Sequence, residues 1–316
     1  MDKGIEPILR VLAAATIPPV LGTAIVAFSA VFLGEYGWTL FLALPLFLGF
    51  SSVAIYAPRG DKSFLRCLAV SLSSLVTIGI FIIFLGIEGL VCLVMALPIA
   101  VPMMAIGAFV AYGVIRQWIN NKTATAISAV LFFLLPIFMG FEAADNSQPE
   151  LHSVVTSVEI DAPIDVVWKN VVTFSHIEKE PEGILNLGFA YPIDARIEGE
   201  GVGAVRYCNF TTGLFVEPIT VWQEPNLLAF DVAEQPAPMK ELTPYNELHA
   251  AHLQYIRSQK GQFRLYEKDG KTVVEGTTFY TNDIAPDAYW RLLSDEIISK
   301  IHLRVLEHIK AESEKP

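Results

Sequence analysis

The stretch Gly199-Glu-Gly-Val-Gly-Ala-Val-Arg-Tyr-Cys-Asn-Phe-Thr-Thr-Gly-Leu-Phe-Val-Glu-Pro-Ile-Thr-Val-Trp-Gln-Glu-Pro-Asn-Leu-Leu-Ala-Phe-Asp-Val232 decides how the second half of this chain folds. Three short runs rich in Val, Phe, Tyr, Trp and Thr are split by Thr212-Gly213 and by Glu224-Pro225-Asn226, the punctuation of an antiparallel meander. Each run mixes large aromatics with one or two charges. A strand sends alternate residues to opposite faces, so at least one face carries Tyr, Phe and Trp beside an Arg, Glu or Asp. That suits the wall of a ligand cavity better than a dry core. The spacing Gly199-x-Gly201-x-x-Ala204 formally matches a dinucleotide fingerprint. That motif works by joining a strand to a helix whose N-terminus holds the pyrophosphate, whereas these glycines lead into another strand. They are read as permitting a tight turn or bulge, and no cofactor is expected.

Upstream of the meander, residues 152–160 alternate Val154, Thr156, Val158 and Ile160 with Val155, Ser157 and Glu159, the pattern of a half-buried strand. Asp161-Ala-Pro163 stops it and starts a helix, with Asp165 near the positive helix end and Trp168, Val171, Val172 and Ser175 following at helical spacing. Downstream, 261–267 and 272–281 read as two more strands joined at Asp269-Gly270, a strong hairpin signal. The chain closes with a long helix from Pro286, whose Trp290, Leu293, Ile297, Ile301 and Val305 form one apolar stripe. Its last turn holds His308 and Lys310, on the favoured side of the dipole. A helix of that length must bury its stripe, and the concave face of a curved antiparallel sheet is the available partner. About six strands and a long final helix make this half an α+β domain.

This order, headed by Val158-Glu-Ile-Asp-Ala-Pro-Ile-Asp-Val-Val-Trp168, resembles the SRPBCC superfamily, also called START-like or helix-grip, which includes polyketide cyclase-like proteins. The resemblance covers roughly 152–312. More narrowly, Gly203-Ala-Val-Arg-Tyr-Cys208, Phe215-Val-Glu-Pro-Ile219, Glu275-Gly-Thr-Thr-Phe-Tyr280, Tyr289-Trp-Arg291 and Ile301-His-Leu-Arg-Val-Leu-Glu-His308 look like a bacterial subgroup in which the domain follows a membrane segment. The subgroup carries no activity over to this chain. The superfamily implies a deep cavity between sheet and helix that holds a hydrophobic ligand such as a lipid, sterol, polyketide or other aromatic molecule.

The first half is of another kind. Hydrophobic residues make up 53% of the chain and charged ones 17%, and the apolar excess lies ahead of Pro149. The expected division is a transmembrane domain over 1–142, a linker over 143–150 and the helix-grip domain over 151–316. Of the net charge of -11, residues 1–150 contribute 7 basic against 8 acidic side chains and 151–316 contribute 15 against 25. An acidic second half argues against nucleic acid as a partner. Apolar stretches near 8–33, 39–57, 66–86, 89–115 and 124–141 each approach the ~20 residues that a membrane-crossing helix needs, so an all-α bundle of about five helices is expected. Pro18-Pro19 would kink the first. Glu88-Gly89 opens the fourth, and Pro98 and Pro102 interrupt it, which leaves open one kinked helix or a re-entrant piece followed by a crossing.

Basic residues fall in alternate loops, with Lys3 and Arg10 first, then Arg59, Lys62 and Arg66, then Arg116 and Lys122; the other loops hold Glu35, Glu88, Glu142 and Asp145. Cytoplasmic loops are enriched in Lys and Arg. The pattern places the N-terminus in the cytoplasm of what would be a bacterial inner or cell membrane, and the 151–316 domain outside it. With Glu88 the one ionisable candidate within a span, the bundle reads as an anchor packed through Gly, Ala and Ser rather than a transporter.

The cavity is expected to be lined by Arg206, Tyr207, Phe210, Glu217, Trp222, Phe230, Tyr245, His249, His252, Tyr255, Phe279 and Trp290. Arg206 and Glu217 either form a cross-strand ion pair or orient a ligand. His249-x-x-His252, near Glu247, lacks the further ligands of a metal site, and no metal is expected. These histidines lie in an insertion, 235–258, read as an ordered lid with Pro236, Pro238, Pro244, Leu248 and Leu253. Cys208 stands alone in the second half, without a base partner, as a buried inert thiol. The expected function is a membrane-anchored binding protein that holds, senses or transfers a hydrophobic, lipid-like or aromatic ligand, with the bilayer and that ligand as partners. Two alternatives stay open. One is a cyclase- or hydrolase-type enzyme using His249, His252 or Glu217, and the other a structural or regulatory module with no ligand. The oligomeric state is not legible.

Overall fold

The computed structural model of the protein describes residues 5–117, 121–145, 148–245 and 254–315. They divide into two compact units. The first takes in the described residues up to 145 together with 241–245 and 284–286, and the second takes the rest.

The first unit is all helical. α1 (Ile5–Ala27) runs on into a π-helical turn, Phe28–Leu33, and a second such turn, Thr39–Ala43, leads into α2 (Leu44–Tyr56); α3 (Phe64–Phe84), α4 (Leu90–Gln117) and α5 (Asn121–Ala143) follow. Among the described residues, five helical segments are long and apolar enough to cross a membrane. α4 passes through Pro98 and Pro102 without a break over 28 residues, about 42 Å at 1.5 Å per residue, so the ambiguous run is one helix. The span containing α2 is the most buried of the five. The other four turn residues such as Phe32, Phe84, Phe109 and Phe141 outward.

Small residues let the backbones meet. A Cβ on Gly49 of α2 would lie 2.1 Å from the Met104 carbonyl oxygen of α4, and one on Gly107 of α4 would lie 2.1 Å from the Leu46 carbonyl oxygen. Such close approach supplies the van der Waals contact that holds helices together where lipid would offer no hydrophobic drive. Pro18 removes the N–H that would bond the Ala14 carbonyl. Ser74 of α3 donates to that carbonyl at 2.9 Å, and its Oγ lies 2.8 Å from Ser52 Oγ of α2. A neighbouring hydroxyl thus meets the acceptor that the proline freed. Carboxylates meet two of the helix starts, where N–H groups lack intrahelical partners and the dipole is positive. Glu142 accepts from Thr39 N at 2.9 Å and Thr39 Oγ1 at 2.8 Å. Glu241 accepts from the N–H groups of Val91 and Cys92 at 3.2 and 3.1 Å, beside a Leu90 N–H donated to Leu242 O at 3.0 Å.

The second unit is a curled antiparallel sheet of seven strands with a long C-terminal helix. Its strands are β1 (Leu151–Ile160), β2 (Pro192–Glu198), β3 (Val205–Phe210), β4 (Gly213–Gln223), β5 (Leu227–Asp231), β6 (Ile256–Lys268) and β7 (Lys271–Asn282), in the order β1-β7-β6-β5-β4-β3-β2. α6 (Ile164–Val172) follows β1, and α7 (Asp287–Ser313) closes the chain. The meander is β3, β4 and β5. Two features exceed the sequence reading: β2 is an additional edge strand, opened by Pro192 where no ladder donor is needed, and β6 starts five residues earlier than 261. Gly199 and Gly203 have φ of 91° and 93°, in the left-handed region that glycine enters freely. They turn β2 into β3, and no helix follows. Asp269 and Gly270, at φ 52° and 78°, form the two-residue loop between β6 and β7.

Alternation explains the core. β1 buries His152, Val154, Thr156 and Ile160 and exposes Leu151, Ser153 and Val155. Leu228, Leu265 and Val274 meet Val167 and Val171 of α6 and Leu306 and Ile309 of α7 in one apolar cluster. On α7, Trp290 and Val305 of the expected stripe are buried while Leu293, Ile297 and Ile301 are half-buried, and the buried line continues through Leu306, Ile309 and Ser313. This unit has the helix-grip fold.

Candidate functional site: a cavity with a buried ion pair

A cavity of about 120 Å³ lies in the second unit between the sheet and the middle turns of α7, where Ile298, Ile301, His302 and Val305 form one wall. The meander forms another. On β3 the period of two turns Arg206, Cys208 and Phe210 toward the cavity, and on β4 it turns Phe215 and Glu217 the same way. The β3/β4 register sets Arg206 directly opposite Glu217. Arg206 Nη1 donates to Glu217 Oε2, with the two side chains 2% and 7% exposed, and Arg206 Nε donates to the Val172 carbonyl at 3.3 Å. The rings of Phe174, Phe230 and Phe263 surround the guanidinium at 5.5 to 5.6 Å, within cation–π range. Phe230 leans over its cross-strand partner Gly261, where a Cβ would meet the ring at 2.6 Å.

Burial shapes the electrostatics. It works to lower the Arg206 guanidinium, but the Glu217 carboxylate outweighs it, so the arginine keeps its charge. Burial pushes the Glu217 carboxyl up, opposed by Arg206. Burial, and then the Glu217 charge, push the Cys208 thiol far above its ordinary value, so the thiolate that a nucleophile needs is not formed. His302 points from α7 to the sheet. Its Nε2 lies 2.8 Å from Thr278 Oγ1 and its Nδ1 3.2 Å from Thr156 Oγ1. Burial lowers this imidazole to about 4, so near neutrality one ring nitrogen donates and the other accepts.

Of the twelve residues expected to line the cavity, Arg206, Phe210, Glu217 and Phe230 are in its wall. Tyr207 is on the opposite face of β3, under the guanidinium of Arg196 at 4.4 Å, and Phe279 alternates away on β7, under Lys260 Nζ at 4.9 Å. Trp222, turned to the face of Ile219 by the register shift of β4 between Ile219 and Val221, is half-buried against the core cluster outside the cavity wall, packed edge-to-face on Trp168 at 5.7 Å. Trp290 begins α7, turns before the residues that face the cavity. The Tyr255 carbonyl accepts from Asp283 N at 3.1 Å, and the residue is outside the wall.

Of the insertion read as a lid, 235–245 and 254–258 are described, and hydrogen bonds tie them down. Lys240 N donates to Gly188 O at 2.7 Å, and the amide of Gln235 joins Ile256 O to Ser258 N. Tyr245 belongs to the first unit, where its hydroxyl donates to the Phe84 carbonyl. His249 and His252 lie outside the described residues. Sequence reasoning missed Phe174, Phe215, Phe263 and His302. For His302 a signal existed, since it follows Ile298 by four residues and precedes Val305 by three, on the same face of the helix.

No protein-family model and no curated protein matches the chain. Among solved structures it is similar to a protein from Nitrosospira multiformis (19% identity, 51% of this chain and 96% of that one, TM-score 0.34). It is also similar to the Zhui aromatase/cyclase from Streptomyces sp. R1128 (15%, 52% and 94%, TM-score 0.35). A third is truncated norcoclaurine synthase from Thalictrum flavum (12%, 54% and 99%, TM-score 0.35).

Proposed function

We propose that this chain is a membrane-anchored binding protein whose helix-grip unit holds a hydrophobic ligand in the cavity between sheet and α7. The supporting observation is the wall itself. Phe174, Phe210, Phe215, Phe230 and Phe263 surround a cavity that also contains a compensated ion pair, the mixture of apolar lining and a few placed polar groups that small-molecule sites have. Binding is favoured over turnover because Glu217 is committed to Arg206 and both ring nitrogens of His302 face threonine hydroxyls. Five helices long and apolar enough to cross a bilayer support the membrane anchor, and the alternation of basic and acidic loops supports an extracytoplasmic position for the helix-grip unit.

Native mass spectrometry of the full chain, with organic extraction of the released molecule, tests the binding function. Gly276 lines the cavity, and a Cβ there would meet only side-chain atoms, at 3.6 Å or more. Gly276→Leu should therefore fill the space and abolish a stoichiometric hydrophobic adduct. No adduct in the wild type, or one that Gly276→Leu retains, overturns the proposal. For the topology, a periplasm-active reporter fused after Pro316 should work, and activity of a cytoplasmic reporter there overturns the orientation.

A further inference from the structure

We infer that the occupant of this cavity is an uncharged molecule of about one ring that presents a hydrogen-bond acceptor to Arg206. This rests on the reading of the cavity as a ligand site and narrows it by size, charge and polarity.

Size comes first. The cavity measures about 120 Å³, whereas sites for drug-sized ligands run to about 300–1,000 Å³ and an engineered apolar cavity of about 150 Å³ takes benzene. A single ring with a small substituent fills that space, which is too small to enclose a sterol or a folded polyketide. Charge comes second. The wall holds Arg206 and Glu217, which neutralise one another, and Lys260, whose Nζ lies over the ring of Phe279 on the other face of the sheet. An anion entering among the phenylalanines would meet the Glu217 carboxylate, and a cation would meet the guanidinium. Either would carry an uncompensated charge into an apolar wall.

Polarity comes third. A guanidinium has five N–H donors. Arg206 uses Nε on the Val172 carbonyl and Nη1 on Glu217, and among the described residues Nη2 hydrogen-bonds to nothing. The three phenylalanines around it offer ring faces and no in-plane acceptor. Nη2 is not among the buried atoms left without a partner, so it opens to the cavity, where a carbonyl or ether oxygen on the ligand takes the place of water as its acceptor.

Acetophenone and α-methylstyrene test this, because they share size and shape and differ in the acceptor. Binding to the full chain in nanodiscs is followed by saturation-transfer NMR, and only the signal lost in Gly276→Leu is counted as cavity binding. Acetophenone should bind at least tenfold more tightly than α-methylstyrene, while benzoate and benzylammonium should not saturate the site over the same range. In Arg206→Met/Glu217→Met both neutral probes should still bind, with the tenfold preference gone. Equal affinity of the two neutral probes in the wild type, or tightest binding of benzoate or benzylammonium, overturns the inference and leaves the binding function standing. If none of the four probes binds while the wild type still carries a native adduct, the inference alone fails. If there is no adduct either, both fail.

Discussion

Replacing Arg206 by methionine should bury a carboxylate without its counter-charge, and the cost should depend on pH in a definite direction. Arg206 and Glu217 are 2% and 7% exposed, and removing one member of such a pair typically costs about 3–5 kcal/mol, because the remaining charge keeps its desolvation cost and loses its attraction. Glu217 can escape by taking up a proton. In the variant the folded state then holds a neutral carboxyl, while the unfolded chain ionises near the ordinary value of about 4.3. A folded-state pKa raised above the unfolded one gives stability that is present below the unfolded value and lost as pH rises. The unfolded state binds fewer protons over that range, so the slope is up to about 1.4 kcal/mol per pH unit. The deficit of Arg206→Met relative to wild type should therefore be smallest near pH 4 and widen toward pH 7. Arg206→Met/Glu217→Met, which fills the site with apolar side chains, should come within about 1 kcal/mol of wild type or exceed it, with no such slope. Urea unfolding of the full chain in micelles from pH 4 to 8, followed by near-UV circular dichroism, measures all three. A single-variant deficit that does not change with pH, or a double variant as unstable as the single one, would refute the reasoning.

His302 carries the opposite dependence. Its folded pKa is lowered to about 4 from an ordinary 6.5, so the unfolded state binds the extra proton and stability is lost as pH falls from about 6.5 toward 4, by about 3 kcal/mol in all. His302→Gln, whose amide can still meet both threonines, should remove that part, so the wild-type advantage should shrink across this window in paired pH titrations. In the first unit, Gly107→Ala should push α4 from α2, because its Cβ would fall 2.1 Å from the Leu46 carbonyl oxygen. A drop of several degrees in the micelle melting temperature, against little change for Gly113→Ala, where a Cβ meets nothing within 4 Å, is the expected readout. Glu241→Ala should uncap the start of α4 and cost about 1 kcal/mol, the usual worth of a carboxylate at a helix N-terminus. Faster amide exchange at Val91 and Cys92 would report it.

What the sequence determined by itself was whatever depends on near neighbours along the chain. Runs of about twenty apolar residues marked the five helices, period-two alternation and Asp269-Gly270 marked β1, β6 and β7, and the Gly/Pro punctuation marked the meander. The glycines at 199–203 were legible as a turn because their surroundings are strand-like on both sides. Which side chains share the cavity was decided by the tertiary structure, because it depends on register between strands that are distant in sequence. Alternation alone cannot say which set of β3 residues faces inward, and the choice between Arg206 and Tyr207 is made by pairing with β2 and β4. One shift of register after Ile219 turns Trp222 to the face that Ile219 shares, where it packs on Trp168. His302 becomes a cavity residue only when α7 lies across Thr156 and Thr278, which come from strands more than 100 residues apart in the chain. Residues 241–245 sit with the first unit for the same reason. The N–H groups at the start of α4 need acceptors, and a carboxylate some 150 residues later in the chain supplies them, a match that no local pattern encodes.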